Sequence, residues 1–167
     1  MIEHILNILS NLPNEVIVFI LGVLPISEVR GAIPFGVAVS MPIKRVLFFS
    51  IAGNIFPVIP ALFLFEPVSN YLRRFPLLRR FFDWLNERTK QKASLIEKYE
   101  ALGLALFVAV PLPMTGAWSG CLAATLFKIR FRYALAAIVA GVIAAAAIVT
   151  AVVLAGKGII YNIFIAH

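Results

Sequence analysis

Two runs without a single charged side chain most constrain what this chain can fold into. The runs are Val46 to Phe65 and Tyr133 to Ala155. A helix needs about 20 apolar residues to cross the roughly 30 Å hydrocarbon core of a bilayer, and each run is long enough. Of the 167 residues, 62% are hydrophobic, and the mean hydropathy is +0.97. The sequence therefore predicts an all-α membrane protein with a single transmembrane domain over residues 1–167.

A carboxylate and a guanidinium lie inside the first apolar region. Glu28 and Arg30 are the only charged residues between Val16 and Ile43. A charge at membrane depth costs from about 2.5 to more than 10 kcal/mol, so such residues normally face a cavity or each other. Glu28 and Arg30 are therefore candidates for a binding site.

The backbone around these charges is also unusual. Pro25 and Pro34 each lack an amide donor, and Gly31 and Gly36 permit tight or left-handed turns. Irregular backbone at membrane depth is tolerated where protein or water surrounds it. The 28 residues from Val16 to Ile43 are too few for two crossings and many for one. We expect a re-entrant helical hairpin with Glu28, Arg30 and Gly31 at an extended tip.

The spanning segment that follows has a break of its own. Lys44 and Arg45 form a basic turn, and the run after them contains Gly53-Asn54 and two prolines, Pro57 and Pro60. These residues interrupt the helical hydrogen bonds. Asn54 either lines the same cavity as Glu28 or marks a kink that a neighbouring helix satisfies.

A strongly polar linker, about residues 67–100, divides the chain. It carries eight basic residues, and its first half mixes arginines with aromatic side chains. This composition predicts an amphipathic helix lying in the headgroup layer. Residues 2–12 predict a short helix that either lies at the interface or packs against the rest of the chain. The basic residues adjoin apolar segments, so membrane topology explains them better than nucleic acid does.

The second apolar half repeats the first. Residues 101–127 are interrupted by prolines and glycines, a basic turn follows at 128–132, and the last span comes after it. Matching positions lie about 85 to 88 residues apart, which gives repeats at about 14–66 and about 101–156. Small residues at 140–145 favour close helix packing, against another helix of the chain or in a homodimer.

If each repeat is a hairpin plus one crossing, the second enters from the opposite side. Such inverted repeats place eleven basic residues on the linker side and three on the other, whereas four full crossings give nine against five. The positive-inside rule therefore favours hairpins, with the linker in the cytoplasm and the protein a multi-pass protein of the cell membrane.

Inverted repeats place a substrate site near the midplane, where two broken elements meet. Arg30 could hold a phosphate or carboxylate, and Glu28 could exchange a proton or bind a cation. Alternatively, the two charges neutralise each other and only fix the tip. The predicted site consists of Glu28, Arg30, Gly31, Asn54, Pro111, Pro113, Thr115, Gly116, Trp118 and Ser119.

Neither an enzyme nor a cofactor is predicted. Cys121 is the only cysteine, and the only histidines, His4 and His167, lie at the ends of the chain. Ser119 and Cys121 therefore have no histidine to activate them, and no metal site of thiol and imidazole ligands can form.

Three motifs together resemble the small multidrug export family: Pro25-x-x-Glu28-x-Arg30-Gly31-Ala32-Ile33-Pro34, Gly53-Asn54-x-x-Pro57-x-x-Pro60, and Pro111-x-Pro113-x-Thr115-Gly116-x-Trp118-Ser119-Gly120. The arrangement is more distantly similar to the DedA (VTT-domain) family, whose members are implicated in moving polyprenyl-phosphate or other lipids. That resemblance implies a role for Glu28 as the intramembrane acid. DedA proteins also carry arginines in the second hairpin, and residues 110–127 here contain none.

Three functions remain open at this point. The first is proton-coupled export of amphipathic cations through Glu28, and the second is flipping of an anionic lipid headgroup held by Arg30. The third is a non-transporting assembly role in which the interfacial helix recruits a partner. Membrane lipids and an amphipathic small molecule or lipid phosphate are the expected partners.

Overall fold

The computed structural model describes residues 12–72, 93–112 and 115–165. Within these ranges the regular structure is helical and includes no strand, which confirms the all-α prediction. The predicted helices at residues 2–12 and in the first half of the linker lie mainly outside the described residues. The helices are α1 (Asn14–Val23), α2 (Glu28–Ala38), α3 (Ile43–Ile55), α4 (Val58–Leu72), α5 (Ala93–Ala109), α6 (Ala117–Leu126) and α7 (Phe131–Ile165).

Two helical stretches are long and apolar enough to cross a membrane. Ile43–Phe65 has 23 residues and a mean hydropathy of 2.0, and Phe131–Lys157 has 27 residues and a mean hydropathy of 2.8. They contain the two predicted spans. The first stretch is broken at Phe56 and Pro57, as expected, because Pro57 has no amide to donate to the Gly53 carbonyl.

The chain divides into two compact units. Unit 1 consists of Met1–Phe56 and Ile143–His167, and unit 2 consists of Pro57–Val142. The last part of α7 therefore returns to the unit that contains α1, α2 and α3. The second unit is inserted into the first.

In unit 1, α1 packs against both α2 and α3. A Cβ atom at Gly22 would lie 2.7 Å from the Ser50 carbonyl oxygen, and one at Gly53 would collide with the Phe19 carbonyl. The backbones of α1 and α3 are therefore in direct contact, which only glycine allows. Fully buried valine and isoleucine side chains complete this core: Val18, Ile33 and Val46.

In unit 2, α6 packs against α4 and α5. The Cys121 thiol of α6 is buried and donates to the Val58 carbonyl at 3.8 Å. A Cβ atom at Gly141 would lie 2.7 Å from the Ala105 carbonyl oxygen, so the backbones of α5 and α7 approach as closely as those of α1 and α3. Both units therefore contain a glycine that allows the backbones of two helices to touch.

The same turn also occurs twice, 88 residues apart. After α2 the Met41 amide donates to the Gly36 carbonyl at 3.0 Å, and after α6 the Ile129 amide donates to the Ala124 carbonyl at 2.9 Å. The residue before each donor is left-handed: Ser40 has φ 58° and Lys128 has φ 54°. Both turns are Schellman motifs, and the spacing agrees with the repeat offset read from the sequence.

Neither Gly31 nor Gly36 uses the left-handed conformation that glycine permits. No glycine among the described residues has a positive φ; Glu28, Ser40 and Lys128 have one instead. Gly36 serves close packing, because a Cβ atom there would lie 2.7 Å from a methyl group of Val46.

Alanine at the close-contact glycines should destabilise the protein. Gly22→Ala and Gly53→Ala each force a methyl group into backbone, and we expect a loss of about 2 kcal/mol. Gly103→Ala and Gly156→Ala are matched controls, because no atom lies within 4 Å of a Cβ there. The controls should gain about 0.5 kcal/mol from helix propensity. Unfolding midpoints in a single detergent measure both effects, and equal midpoints for the two pairs would contradict this packing.

Glycine should stabilise the two Schellman turns. Ser40→Gly and Lys128→Gly relieve a left-handed conformation that costs a side chain about 1 kcal/mol. Each variant should therefore raise the unfolding midpoint. The same substitution at the exposed helical residue Ala136 should lower it.

Candidate functional site

The candidate site lies at the corner between α1 and α2, residues 24–27. The Leu24 amide donates to the Ile20 carbonyl at 3.1 Å, and the Glu28 amide donates to the Leu24 carbonyl at 3.0 Å. The Ser27 hydroxyl donates to the Leu21 carbonyl. These bonds attach the corner to the end of α1 and fix where α2 begins.

Glu28 is the first residue of α2 and the most unusual residue of the corner. Its side chain is buried, with 4% exposed, and its φ is 48°. A left-handed non-glycine residue costs of order 1 kcal/mol or more and persists only where its surroundings enforce it. The helix N-terminus favours its negative charge. Burial, strain and charge thus coincide at one residue.

Arg30 follows in the first turn of α2. It is half-buried, and burial disfavours its charge more than the nearby Glu28 carboxylate favours it. The predicted extended tip is wrong here, because α2 is helical from Glu28 onward. The Gly31 amide donates to the Ser27 carbonyl at 2.8 Å, so it is used within the helix rather than offered to an anion.

Asn54 of α3 belongs to the same unit. It is 1% exposed, and its side-chain oxygen has no hydrogen-bond partner among the described residues. Its backbone amide lies 3.2 Å from where a Cβ of Gly22 would be. Asn54 therefore lies against the end of α1 that leads into the Glu28 corner. A buried amide oxygen left unpaired costs about 1–3 kcal/mol.

The predicted residues of the second hairpin belong to unit 2. Thr115 holds the loop after α5: its hydroxyl lies 2.7 Å from the Val110 carbonyl and accepts from the Leu112 amide at 3.2 Å. The Ser119 hydroxyl accepts from the Gly116 amide at 2.8 Å and so caps α6. Both hydroxyls have a structural role there.

The remaining predicted residues are placed as follows. Trp118 packs near the Phe65 ring, with 6.4 Å between ring centroids. Pro111 is half-buried in the loop, and Pro113 lies outside the described residues. Glu28, Arg30, Gly31 and Asn54 thus share unit 1, and the residues of the second hairpin share unit 2. The meeting of both sets in one cavity stays a prediction.

Sequence reasoning missed several features of unit 1. Ile26, at the apex of the corner, is 97% exposed despite its apolar side chain. Lys157 donates to the Val37 carbonyl at 3.2 Å and so caps the end of α2 from 120 residues away. Arg45 pairs with Glu15 at 3.2 Å. No local sequence signal indicates contacts of such separation.

Comparison with protein families fits this arrangement. The model of the family described as "Putative small multi-drug export protein" matches residues 28–148, most of the chain. The chain belongs to this family. The resemblance read from the motifs is thereby confirmed, and membership in an export family agrees with the two membrane-length helices. No curated protein and no solved structure matches the chain. The more distant likeness to DedA proteins stays a prediction.

Valine should stabilise the protein at position 54. Asn54→Val removes an unpaired buried oxygen, and the residue 88 positions later, Val142, is equally buried. We expect the unfolding free energy to rise by about 1 kcal/mol. Ser50→Val is the comparison, because the Ser50 hydroxyl donates to the Leu47 carbonyl, so its loss gives no such gain. A drop in the midpoint for Asn54→Val would show that the oxygen is satisfied.

Proposed function

We propose that this protein is a multi-pass exporter of the cell membrane, with Glu28 as the residue that exchanges a proton or binds the cationic part of an amphipathic substrate. The observation that carries the proposal is the burial of Glu28 in a left-handed conformation at the α1–α2 corner. Buried ionisable groups in membrane segments commonly mark transport pathways and proton relays.

Helix lengths support a re-entrant α1–α2 hairpin. The 10 residues of α1 and the 11 of α2 each rise about 15 Å, half of a hydrocarbon core of about 30 Å. Apolar exposure supports a corner immersed in the membrane, because Leu24 and Ile26 would otherwise present their side chains to water. Glu28 then lies near the midplane.

The length of α7 supports a multi-pass protein. Helix α7 begins after the Schellman turn at residues 127–130. Near its other end, Lys157 donates to the carbonyl of Val37 in α2, just before the Schellman turn at residues 39–42. The 27 residues from Phe131 to Lys157 can cross a bilayer. The positive-inside rule assigns the linker and turn 127–130 to the cytoplasm.

The chemistry of the corner suits a charge that changes state. An isolated carboxylate at membrane depth is unfavourable, so Glu28 gains from a proton, from Arg30 or from a bound cation. A cation and a proton that compete for one carboxylate give the elementary basis of coupled exchange.

Transport in proteoliposomes tests the proposal. Efflux of ethidium, an amphipathic cation, driven by a proton gradient, should fall at least tenfold in Glu28→Gln. Glu15→Gln is the matched control, because this carboxylate is in the same unit but pairs with the exposed Arg45. The control should stay within twofold of the wild type. Unchanged efflux in Glu28→Gln would refute the role of Glu28.

The same variants separate the other candidate functions. A lipid flippase predicts that translocation of a polyprenyl phosphate is lost in Arg30→Ala while ethidium efflux is absent in the wild type. An assembly role predicts no translocation of either compound and cellular function intact in the Glu28→Gln, Arg30→Ala double variant. Either pattern would exclude the exporter.

A further inference from the structure

A cavity of about 410 Å³ lies between α5 and α6 in unit 2. Residues 100, 103, 104 and 107 of α5 form one wall, and their spacing places them on one face of that helix. Residues of α6 and of the turn after it form the other wall. The α5 wall rises about 10 Å from its first residue to its last, so the cavity is a slot that follows the axis of α5.

The lining of the slot is almost wholly apolar. Glu100, at one end, is the only charged residue of the lining, and it already has an interaction partner within the protein. The slot therefore offers apolar contact along its length, and it gives an ionic centre no advantage over an uncharged group.

Small residues on both walls leave this space open. No atom of the described residues lies within 4 Å of the position that a Cβ at Gly103 would occupy. On the other wall, Ala123 lies five residues before the left-handed Lys128 of its Schellman turn. The residue five positions before the left-handed Ser40 of the other Schellman turn is Phe35. Helix α6 thus carries a methyl group where the corresponding position of α2 carries a ring.

The slot opens to the surroundings of the protein. Three of its lining residues, Gly103, Phe107 and Phe127, are exposed. Its walls belong mainly to two apolar helical stretches, Tyr99–Ala109 and Ala117–Leu126. In a membrane protein such a surface meets the hydrocarbon core of the bilayer, where lipid chains are the surrounding medium.

We propose that the slot binds one acyl chain of a membrane phospholipid. An extended chain matches the linear course of the slot. Lipid tails are as apolar as the walls, so the stabilisation comes from van der Waals contact with both walls rather than from leaving water. Glu100 lies where α5 leaves the polar linker, so the headgroup remains at that end and the methyl end of the chain lies beside Phe107.

Lipid binding to the full chain tests the proposal. Native mass spectrometry of the protein, titrated in detergent with dipalmitoylphosphatidylcholine, counts the bound lipids. Ala123→Phe gives α6 the ring that α2 has, and it should remove one lipid from the number that the wild type binds. Ala136→Phe is the matched control, because it adds the same ring at an exposed helical alanine of the same unit outside the slot. Equal numbers of lipids in all three proteins would overturn the proposal.

A second filled variant keeps the test decisive if Ala123→Phe does not fold. Gly103→Leu adds its side chain at an exposed position with open surroundings, so it blocks the slot without a collision. The affinity for the same lipid should fall at least tenfold. Gly156→Leu is the control, because it makes the same change at a helical glycine with open surroundings outside the slot. Wild-type affinity in Gly103→Leu would overturn the proposal.

Chain length and headgroup provide a third test. Dipalmitoylphosphatidylglycerol should occupy the slot with the same affinity as dipalmitoylphosphatidylcholine, because the headgroup is not held. Dioctanoylphosphatidylcholine should bind at least tenfold more weakly, because its chains make fewer contacts with the walls. Selection by headgroup without selection by chain length would overturn the proposal.

The slot and the exporter site can be tested separately. The slot requires that unit 2 lies in the membrane, but it does not require transport. Glu28→Gln should bind the slot lipid as the wild type does, because the slot shares no residue with the Glu28 corner. Unchanged efflux in Glu28→Gln would refute the exporter role of Glu28 alone, and unchanged lipid binding in the filled variants would refute the slot alone.

Discussion

The direct contact between the backbones of α1 and α3 determines where the candidate site lies. Gly22 and Gly53 let the two helices approach until the side of one backbone touches the other. The end of α1 leads directly into the corner at residues 24–27, and Asn54 follows Gly53 on α3. A larger side chain at either glycine would separate α1 from α3. The polar chemistry of unit 1 thus depends on two residues that have no side chain.

Two stretches of the chain, 88 residues apart, share a turn geometry and differ in their polar side chains. The Schellman turns recur at an offset of 88 residues, and so does one close-contact glycine, as Gly53 and Gly141. Yet the residues 88 positions after Ser50 and Asn54 of α3 are Ile138 and Val142 of α7, and all four are buried. The pair α1–α2 is closely packed, whereas α5–α6 encloses a cavity. Positions at this offset therefore share a turn geometry and differ in chemistry.

Much of the helical plan could be predicted from the sequence, because lipid imposes simple rules on it. Charge-free runs of membrane length, basic turns and paired prolines gave the spans, the break at Pro57 and the repeat offset. The conformation of the corner could not be predicted in the same way. Left-handed backbone is normally assigned to glycine, and here Glu28 adopts it while Gly31 is helical.

The site was predictable in composition but not in arrangement. An isolated acid in an apolar segment is a strong signal, and it led to Glu28. The capping roles of Thr115 and Ser119 depend on loop hydrogen bonds, which the sequence does not reveal. The cavity between α5 and α6, which Glu100, Gly103 and Phe107 help to line, was missed because it depends on space left between helices. A sequence pattern shows which side chains are present, but it does not show where packed helices leave space between them.

The insertion of unit 2 into unit 1 has a consequence for synthesis. The Val37 carbonyl is capped by Lys157, which the ribosome adds 120 residues later. At about 5–20 residues per second, the first hairpin exists for roughly 6 to 24 s before the residue that completes its unit has been made. The buried acid at its corner must be sheltered during that interval by lipid, by the insertion machinery or by the helices already in place.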